Sequence, residues 1–286
     1  MTIDFVNHPD LYRIIKNAFD EDIKDGDHTT MATIPENQTA SAKCLIKDHG
    51  ILAGIEYAKK VFHFIDTHLE LEILRKDGDI VHYGDIAFYV HGNAANILKA
   101  ERIVLNGMQR MSGIATQTHQ ISELIKDLPC KLLDTRKTTP SVRLLEKWAV
   151  KIGGGQNHRM GLYDLIMIKD NHIDFCGGII QALQRAKQYL LTHQLNLKIE
   201  VETRTIEEVR LALETGIPDI IMLDNMSVEM MKEAVQIINK NCITEASGNI
   251  TLENIRSKAL TGVDYISCGA LTHSFRSLDI SLKITK

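Results

Sequence analysis

From residue 129 onward, short apolar runs alternate with amphipathic stretches, and each run ends in charged or small hydrogen-bonding residues. The runs predict strands at 131–135, 164–169, 198–202, 219–224, 243–247 and 264–269; the stretches between them predict helices at 141–150, 178–191, 205–215, 227–238 and 252–261. Such alternation specifies an α/β fold with a parallel sheet and crossover helices. Six units are too few for a full eight-stranded barrel, which takes about 250 residues. An abridged barrel or an open sheet remains. The polar residues at the strand ends are Asp134, Arg136 and Lys137, then Lys169, Glu202, Asp224 and Asn225, Glu245 with Ser247 and Gly248, and lastly Cys268 and Gly269. In parallel β/α folds the loops at the carboxyl ends converge on one rim, where sites are built. Six strands aiming polar groups at one rim form an active-site pattern.

The chain before Met111 reads differently. A helix starts at Pro9 and carries Leu11, Ile14, Ile15 and Phe19 at helical spacing. Strand-like segments follow at 40–47, 70–74, 79–81 and 85–91, punctuated by Asp77-Gly78 and His91-Gly92. This predicts a small α+β layer. A long amphipathic helix over 94–111 sets Ile97, Ala100, Val104, Met108 and Met111 on one face, with Lys99, Arg102 and Asn106 off it.

Charge and length exclude several classes. The 286 residues carry 33 Lys and Arg against 37 Asp and Glu, a net charge of −4, so the excess expected of a nonspecific nucleic-acid binder is missing. The longest stretch without a charged residue, 86–98, is shorter than the roughly 18 apolar residues of a membrane helix. The N-terminus has no basic start followed by an apolar block, so a cytoplasmic protein is expected. Five cysteines, odd in number and never in a C-x-x-C pair, predict buried thiols rather than disulfides or zinc knuckles. Neither H-E-x-x-H nor an EF-hand loop occurs, so no permanently bound metal or cofactor is expected.

Taken singly, each rim residue has an ordinary reading. Glu200 or Glu202 could be a solvent-facing charge, Asp224 could cap the helix near Ser227, and Lys169 could snorkel. A buried parallel strand leaves little room for both glutamates to face solvent. The run Gly153-Gly-Gly-Gln-Asn-His-Arg159 fits neither a P-loop nor G-x-G-x-x-G, but its glycines can bring His158 and Arg159 to a ligand. Ser247, Gly248 and Gly269 can offer backbone N–H groups to a phosphate. Arg136, Lys137, Arg159 and Lys169 repel one another unless an anionic ligand joins them. Glu202, Asp224 and Glu245 oppose them. Such a rim suits a substrate with phosphates and Mg²⁺ at one end and positive charge developing at its reacting carbon.

The runs Glu21-Asp22-x-x-x-Gly26-Asp27-His28-Thr29-Thr30, Glu101-Arg102-x-x-Leu105-Asn106, Gly113-Ile-Ala-Thr116 and Asp134-Thr-Arg-Lys-Thr-Thr-Pro140 continue with Gly153 to Arg159 and Ile168-Lys-Asp-Asn-His-Ile173. Glu200-Val-Glu202, Met222-Leu-Asp-Asn225, Glu245-Ala-Ser-Gly248 and Gly269-Ala-Leu-Thr-His-Ser274 follow in order. Together they resemble the quinolinate phosphoribosyltransferases, also called carboxylating nicotinate-nucleotide diphosphorylases.

The resemblance implies a type II phosphoribosyltransferase. Its expected parts are an N-terminal α+β sandwich over 1–112, an incomplete β/α barrel over 113–274, and a C-terminal segment, 275–286, that returns to the first domain with a strand near 278–284. It implies a homodimer in which Arg102 completes the partner's site, with a hexamer of dimers left open. Arg102, Arg136, His158, Arg159 and Lys169 would hold the two carboxylates of quinolinate. Phosphoribosyl pyrophosphate would meet Lys137, Glu202, Asp224, Glu245, Ser247, Gly248 and Gly269. Lys137, Glu202 and Asp224 would be catalytic, with Glu202 and Asp224 also holding Mg²⁺. Two positions depart from the usual pattern: Ser141 stands where Gly commonly follows Thr-Thr-Pro, and Asn249 where a second Gly commonly follows Ser-Gly. Asn tolerates left-handed backbone, so phosphate binding is expected to survive.

The implied products are nicotinate mononucleotide, pyrophosphate and CO₂, made for NAD biosynthesis. Two rivals remain. One is a related phosphoribosyltransferase for another acidic ring, or a homologue attached to metal transport. The other is a non-catalytic phosphate-ligand sensor, which would not need Glu202 and Asp224 beside the basic cluster.

Overall fold

The structure is a computed structural model and describes residues 3–285. The described residues pack as two compact units, one comprising 3–119, 138–154 and 271–285, the other Gln120–Lys137 with Gly155–Ala270. By packing, 138–154 therefore groups with the N-terminal unit, although chain order sets it between two strands of the parallel sheet.

The N-terminal unit opens with α1 (Pro9–Asp22), where Pro at the first turn needs no N–H partner and Leu11, Ile15 and Phe19 are buried. A short α2 (His28–Thr33) follows, capped by Asp27, whose carboxylate accepts the Thr30 amide at 3.0 Å. Next come β1 (Thr39–Ile46), β2 (Gly50–Ile51), α3 (Ile55–Ile65), β3 (Glu70–Ile73), β4 (Ile80–Val81) and β5 (Ile86–Asn93). The sequence reading did not include α3, although Ile55, Ala58, Val61 and Phe62 supply a buried helical stripe.

Helix α4 (Ala94–Glu123) runs well past the expected end at 111, because Met111, Ile114 and Ala115 remain fully buried along it. It is anchored by a fully buried hydroxyl: Ser112 Oγ accepts the Ala53 amide at 2.9 Å and donates to the Ala53 carbonyl at 3.0 Å. One turn later Thr116 Oγ1 accepts the Ile51 amide at 2.8 Å. A Cβ on Gly107 would overlap the Tyr57 ring, so glycine is what permits this close approach.

The parallel unit contains β6 (Lys131–Leu133), and α5 (Arg143–Ile152) follows it in the chain but packs in the N-terminal unit. There the buried Glu146 carboxylate binds Arg110 and accepts the Thr139 amide at 3.1 Å. The chain continues with β7 (Ile166–Ile168), α6 (Asp170–Cys176), α7 (Ile179–His193), β8 (Ile199–Thr203), α8 (Ile206–Glu214), β9 (Ile220–Asp224) and α9 (Val228–Ile238). It ends with β10 (Ile243–Ser247), α10 (Ile255–Ala259), β11 (Tyr265–Ser267), α11 (Ala270–His273) and β12 (Ile280–Thr285).

The six parallel strands lie in the order β6-β11-β10-β9-β8-β7. Two strands consecutive in the chain, β6 and β7, thus occupy opposite edges of the sheet, which is the topology of an incomplete barrel. β8 is buried at every position, as expected of a strand covered on both faces. The smaller sheet, β12-β1-β5-β3, is antiparallel, with Ser41 opposite Thr285 and Ile46 opposite Ile280. Among the described residues no helix is long and apolar enough to cross a membrane. Cys44, Cys130 and Cys268 are buried, and no disulfide occurs among the described residues.

Replacing Ser112 by Ala strands a buried N–H and a buried C=O at once, so urea unfolding should show a loss of about 1–3 kcal/mol. A variant as stable as the parent would show that the hydroxyl does not anchor α4.

Candidate active site

The carboxyl ends of the six parallel strands surround a cavity of about 570 Å³ lined by Arg136, Lys137, His158, Arg159, Lys169, Glu202, Asp224, Glu245, Ser247, Gly248 and Gly269. Every barrel residue expected to bind a substrate therefore lines one space, whereas Asp134 and Cys268, also expected at the rim, are buried behind it. Arg102 is placed elsewhere: it is exposed on α4 and lines a cavity of about 500 Å³ within the N-terminal unit, beside Asn106, Arg110, Glu21 and Ser141.

The basic end is built on Asp134, which is fully buried just past β6. Its carboxylate accepts the His158 amide at 2.8 Å and the Asn157 side chain at 2.6 Å. Gln156 forms a single parallel β-bridge with Leu133. These bonds carry His158 and Arg159 to the rim beside Arg136. Arg159 donates to the Leu165 carbonyl at 3.1 Å, and burial pushes its pKa down, reinforced by the charge of Arg136. Arg136 has a buried Nε–H with no hydrogen-bond partner. A buried donor of that kind costs free energy until a ligand accepts from it.

His158 is held from both sides of its ring. Nδ1 accepts the Arg159 amide at 2.7 Å, and Nε2 lies 3.1 Å from Glu200 Oε2 and 3.3 Å from Glu245 Oε2. With the Arg159 amide on Nδ1, the ring's proton lies on Nε2 between the two glutamates; burial opposes a charge on the ring and the two carboxylates favour it. Burial likewise pushes Glu200 up, opposed by the His158 hydrogen bond and reinforced by Glu245. One imidazole and two carboxylates so close could form a metal centre. At these distances an Nε2–H also satisfies both carboxylates, so no ion is needed to hold the three together.

Glu245, expected against phosphoribosyl pyrophosphate, is thus fully buried and turned to His158. Glu200 had no assigned role. Its signal was the alternation with Glu202 on a strand buried on both faces, which points both side chains into the barrel.

Glu202 and Asp224 form the acidic end. Glu202 is 8% exposed, and its Oε2 lies 3.2 Å from Lys169 Nζ. Burial pushes its pKa up, Lys169 pulls it down, and Asp224 raises it again. At the third end, Gly248 has φ +89, where a Cβ would collide with the Asn225 amide. The two departures from glycine, Ser141 at φ +69 and Asn249 at φ +49, both hold left-handed backbone, which explains why glycine suits those positions.

Across pH values around the ordinary 6.5 of histidine, the His158 ring should show no titration in ¹⁵N-edited NMR, because the Arg159 amide occupies Nδ1 and the two glutamates hold the proton on Nε2. A midpoint near 6.5 would show that the two glutamates do not hold the ring.

Comparison with known proteins agrees with this geometry. Residues 27–112 match the family model of the quinolinate phosphoribosyl transferase N-terminal domain, and residues 114–283 match that of the C-terminal domain. The mitochondrial quinolinate phosphoribosyltransferase [decarboxylating] 2b of Nicotiana tabacum is 51% identical over 295 aligned positions, covering 97% of this chain and 83% of that protein. The chloroplastic nicotinate-nucleotide pyrophosphorylase [carboxylating] of Arabidopsis thaliana is 49% identical, covering 97% of this chain and 84% of its own length. The solved structure of the nicotinate-nucleotide pyrophosphorylase from Francisella tularensis superposes with a TM-score of 0.90 at 38% identity, with both chains covered in full at 100%. With both domain models matched in order and half the residues shared with full-length relatives, this chain belongs to the quinolinate phosphoribosyltransferase family.

Proposed function

We propose that the chain transfers the phosphoribosyl group of phosphoribosyl pyrophosphate to quinolinate and releases pyrophosphate and CO₂, giving nicotinate mononucleotide for NAD biosynthesis. The observation that carries this reading is the orphaned Nε–H of Arg136 beside the Arg159 guanidinium at a partly buried rim. Two guanidinium groups that repel each other in a low-dielectric site are stabilised by a dianion, and bidentate N–H pairs match carboxylates. Adjacent carboxylates on one ring meet both at once. Lys137 and Lys169 add charge for the same ligand or for the pyrophosphate beside it.

The reaction then follows from what the side chains can hold. The ring nitrogen attacks carbon 1 of the ribose as pyrophosphate departs, and positive charge builds on the sugar. Glu202 and Asp224, on neighbouring strands, stand on the side where that charge is favoured. Once bonded, the pyridinium accepts the electron pair released as the 2-carboxylate leaves as CO₂. His158, locked by Glu200 and Glu245, keeps the backbone of Arg159 in place rather than offering a ring nitrogen of its own.

Glu202 and Asp224 also suit Mg²⁺, because they supply oxygen donors only and their mutual repulsion is relieved by a hard cation. When bound, Mg²⁺ supplies charge neutralisation to the leaving pyrophosphate. Ser247, Gly248 and Gly269 suit the 5′-phosphate. The sensor alternative is disfavoured by this acidic pair, which a phosphate reader would not need. The proposed compartment is the cytoplasm, although related plant chains carry mitochondrial and chloroplastic names.

The protein is proposed to act as a homodimer, with the partner's Arg102 reaching each site. Its exposure on α4, away from the apolar stripe, supports that role.

The purified protein should form nicotinate mononucleotide, CO₂ and pyrophosphate from quinolinate only when Mg²⁺ is supplied. Undiminished turnover in excess EDTA, or equal use of nicotinic acid, would show the assignment to be wrong.

Arg102→Ala and Lys169→Ala proteins should each be nearly inactive, yet mixed dimers should regain activity, since one of their two sites then contains neither lesion. No recovery under conditions of demonstrated subunit exchange would refute the shared site.

A further inference from the structure

The turn after β10 is tied to the end of β9 by side chains as well as by the sheet. Asn225 Nδ2 donates to Asp224 Oδ2 at 2.7 Å, and Asn249 Nδ2 donates to Asn225 Oδ1 at 3.1 Å. The direction of this relay is chemically determined: turning the Asn225 amide over would set its oxygen against the Asp224 carboxylate and its NH₂ against that of Asn249. Beneath it, the Asn225 amide donates to the Ser247 carbonyl at 3.0 Å, and Ser247 is paired with Asp224 in the parallel register.

Both asparagines adopt left-handed backbone, at φ +52 and φ +49, and both line the rim cavity. Asparagine is among the few residues besides glycine that take this conformation readily. The other side of the turn is also fixed. Asn254 Nδ2 donates to the Asn249 carbonyl at 2.7 Å, and Lys258 Nζ, only 8% exposed, donates to the Gly248 carbonyl at 2.7 Å. Carbonyls held in this way are kept from an incoming phosphate, which they would repel.

We infer that Asn249, acting through Asn225, is a positioning residue that locks the phosphate-binding turn to the Asp224 carboxylate. It thereby fixes the span between the 5′-phosphate and the ribose of phosphoribosyl pyrophosphate. The inference rests on the assignment of that substrate. A glycine at 249, the residue common in the family pattern, would satisfy the backbone but break the tie. The phosphate and the sugar carbon would then be held by two ends free to shift against each other. Quinolinate, at the opposite side of the rim, would not register the change.

Steady-state kinetics on Asn249→Gly, Asn225→Gly and the double variant test this, with wild type alongside. Each single variant should raise KM for phosphoribosyl pyrophosphate about fivefold, the scale of one hydrogen bond, with KM for quinolinate unchanged. The double variant should be no worse than either single, because both remove the same tie. Equal KM values for phosphoribosyl pyrophosphate in wild type and Asn249→Gly, or fully additive losses, would overturn the inference alone. Absence of wild-type turnover would overturn the substrate assignment and the inference with it.

Discussion

The barrel site depends on the grip of the Asp134 carboxylate on the 156–158 segment. Its two oxygens take the His158 amide and the Asn157 side chain, and the charge is fully buried where it does so. A carboxylate in that position is tolerated only because N–H donors replace the water it has lost. Everything at the basic end is referenced to it: the direction of Arg159, the ring of His158 and, through the ring, the two glutamates on β8 and β10. Arg136, two residues further along the chain from Asp134, inherits its position from the same strand end.

The charges of the site are arranged in layers rather than as a simple opposition of acid and base. The guanidinium groups of Arg136 and Arg159 line the cavity, while Glu200 and Glu245 lie fully buried with the His158 ring against them. The buried acids, occupied by the His158 ring, lower the cost of gathering cations at the rim. Glu202 and Asp224 line the cavity away from that ring, where they can meet positive charge. Two pairs of carboxylates of one chemical type therefore do different work according to depth.

Much of the parallel sheet was legible, because strands buried on both faces leave an apolar run bounded by polar ends, and all six observed strands lie within or against the expected spans. The rim was legible for the same reason. What depends on packing was less so. Helix α4 outran its expected end because burial of Ile114 and Ala115, not local pattern, continues it. The grouping of 138–154 with the N-terminal unit rests on contacts such as Glu146 with Arg110, between residues far apart in the chain. The glutamates show the finer limit. Alternation placed Glu200 and Glu202 on one face of a strand, but only the depth of each along β8 separates a ring-locking acid from one that lines the cavity.

The pairing of β12 with β1 bears on how the molecule is made. As the ribosome releases the chain, β1 emerges early and has β5 to pair with, but its other side stays open until the whole parallel sheet has been synthesised. During that interval it is an unpaired edge, the feature by which nascent chains stick to one another. The small sheet can be completed only by a strand some 240 residues downstream, a contact whose loop-closure entropy is met last. Proteolytic loss of that strand would therefore uncover a ready template for pairing between chains and favour aggregation in an otherwise folded protein.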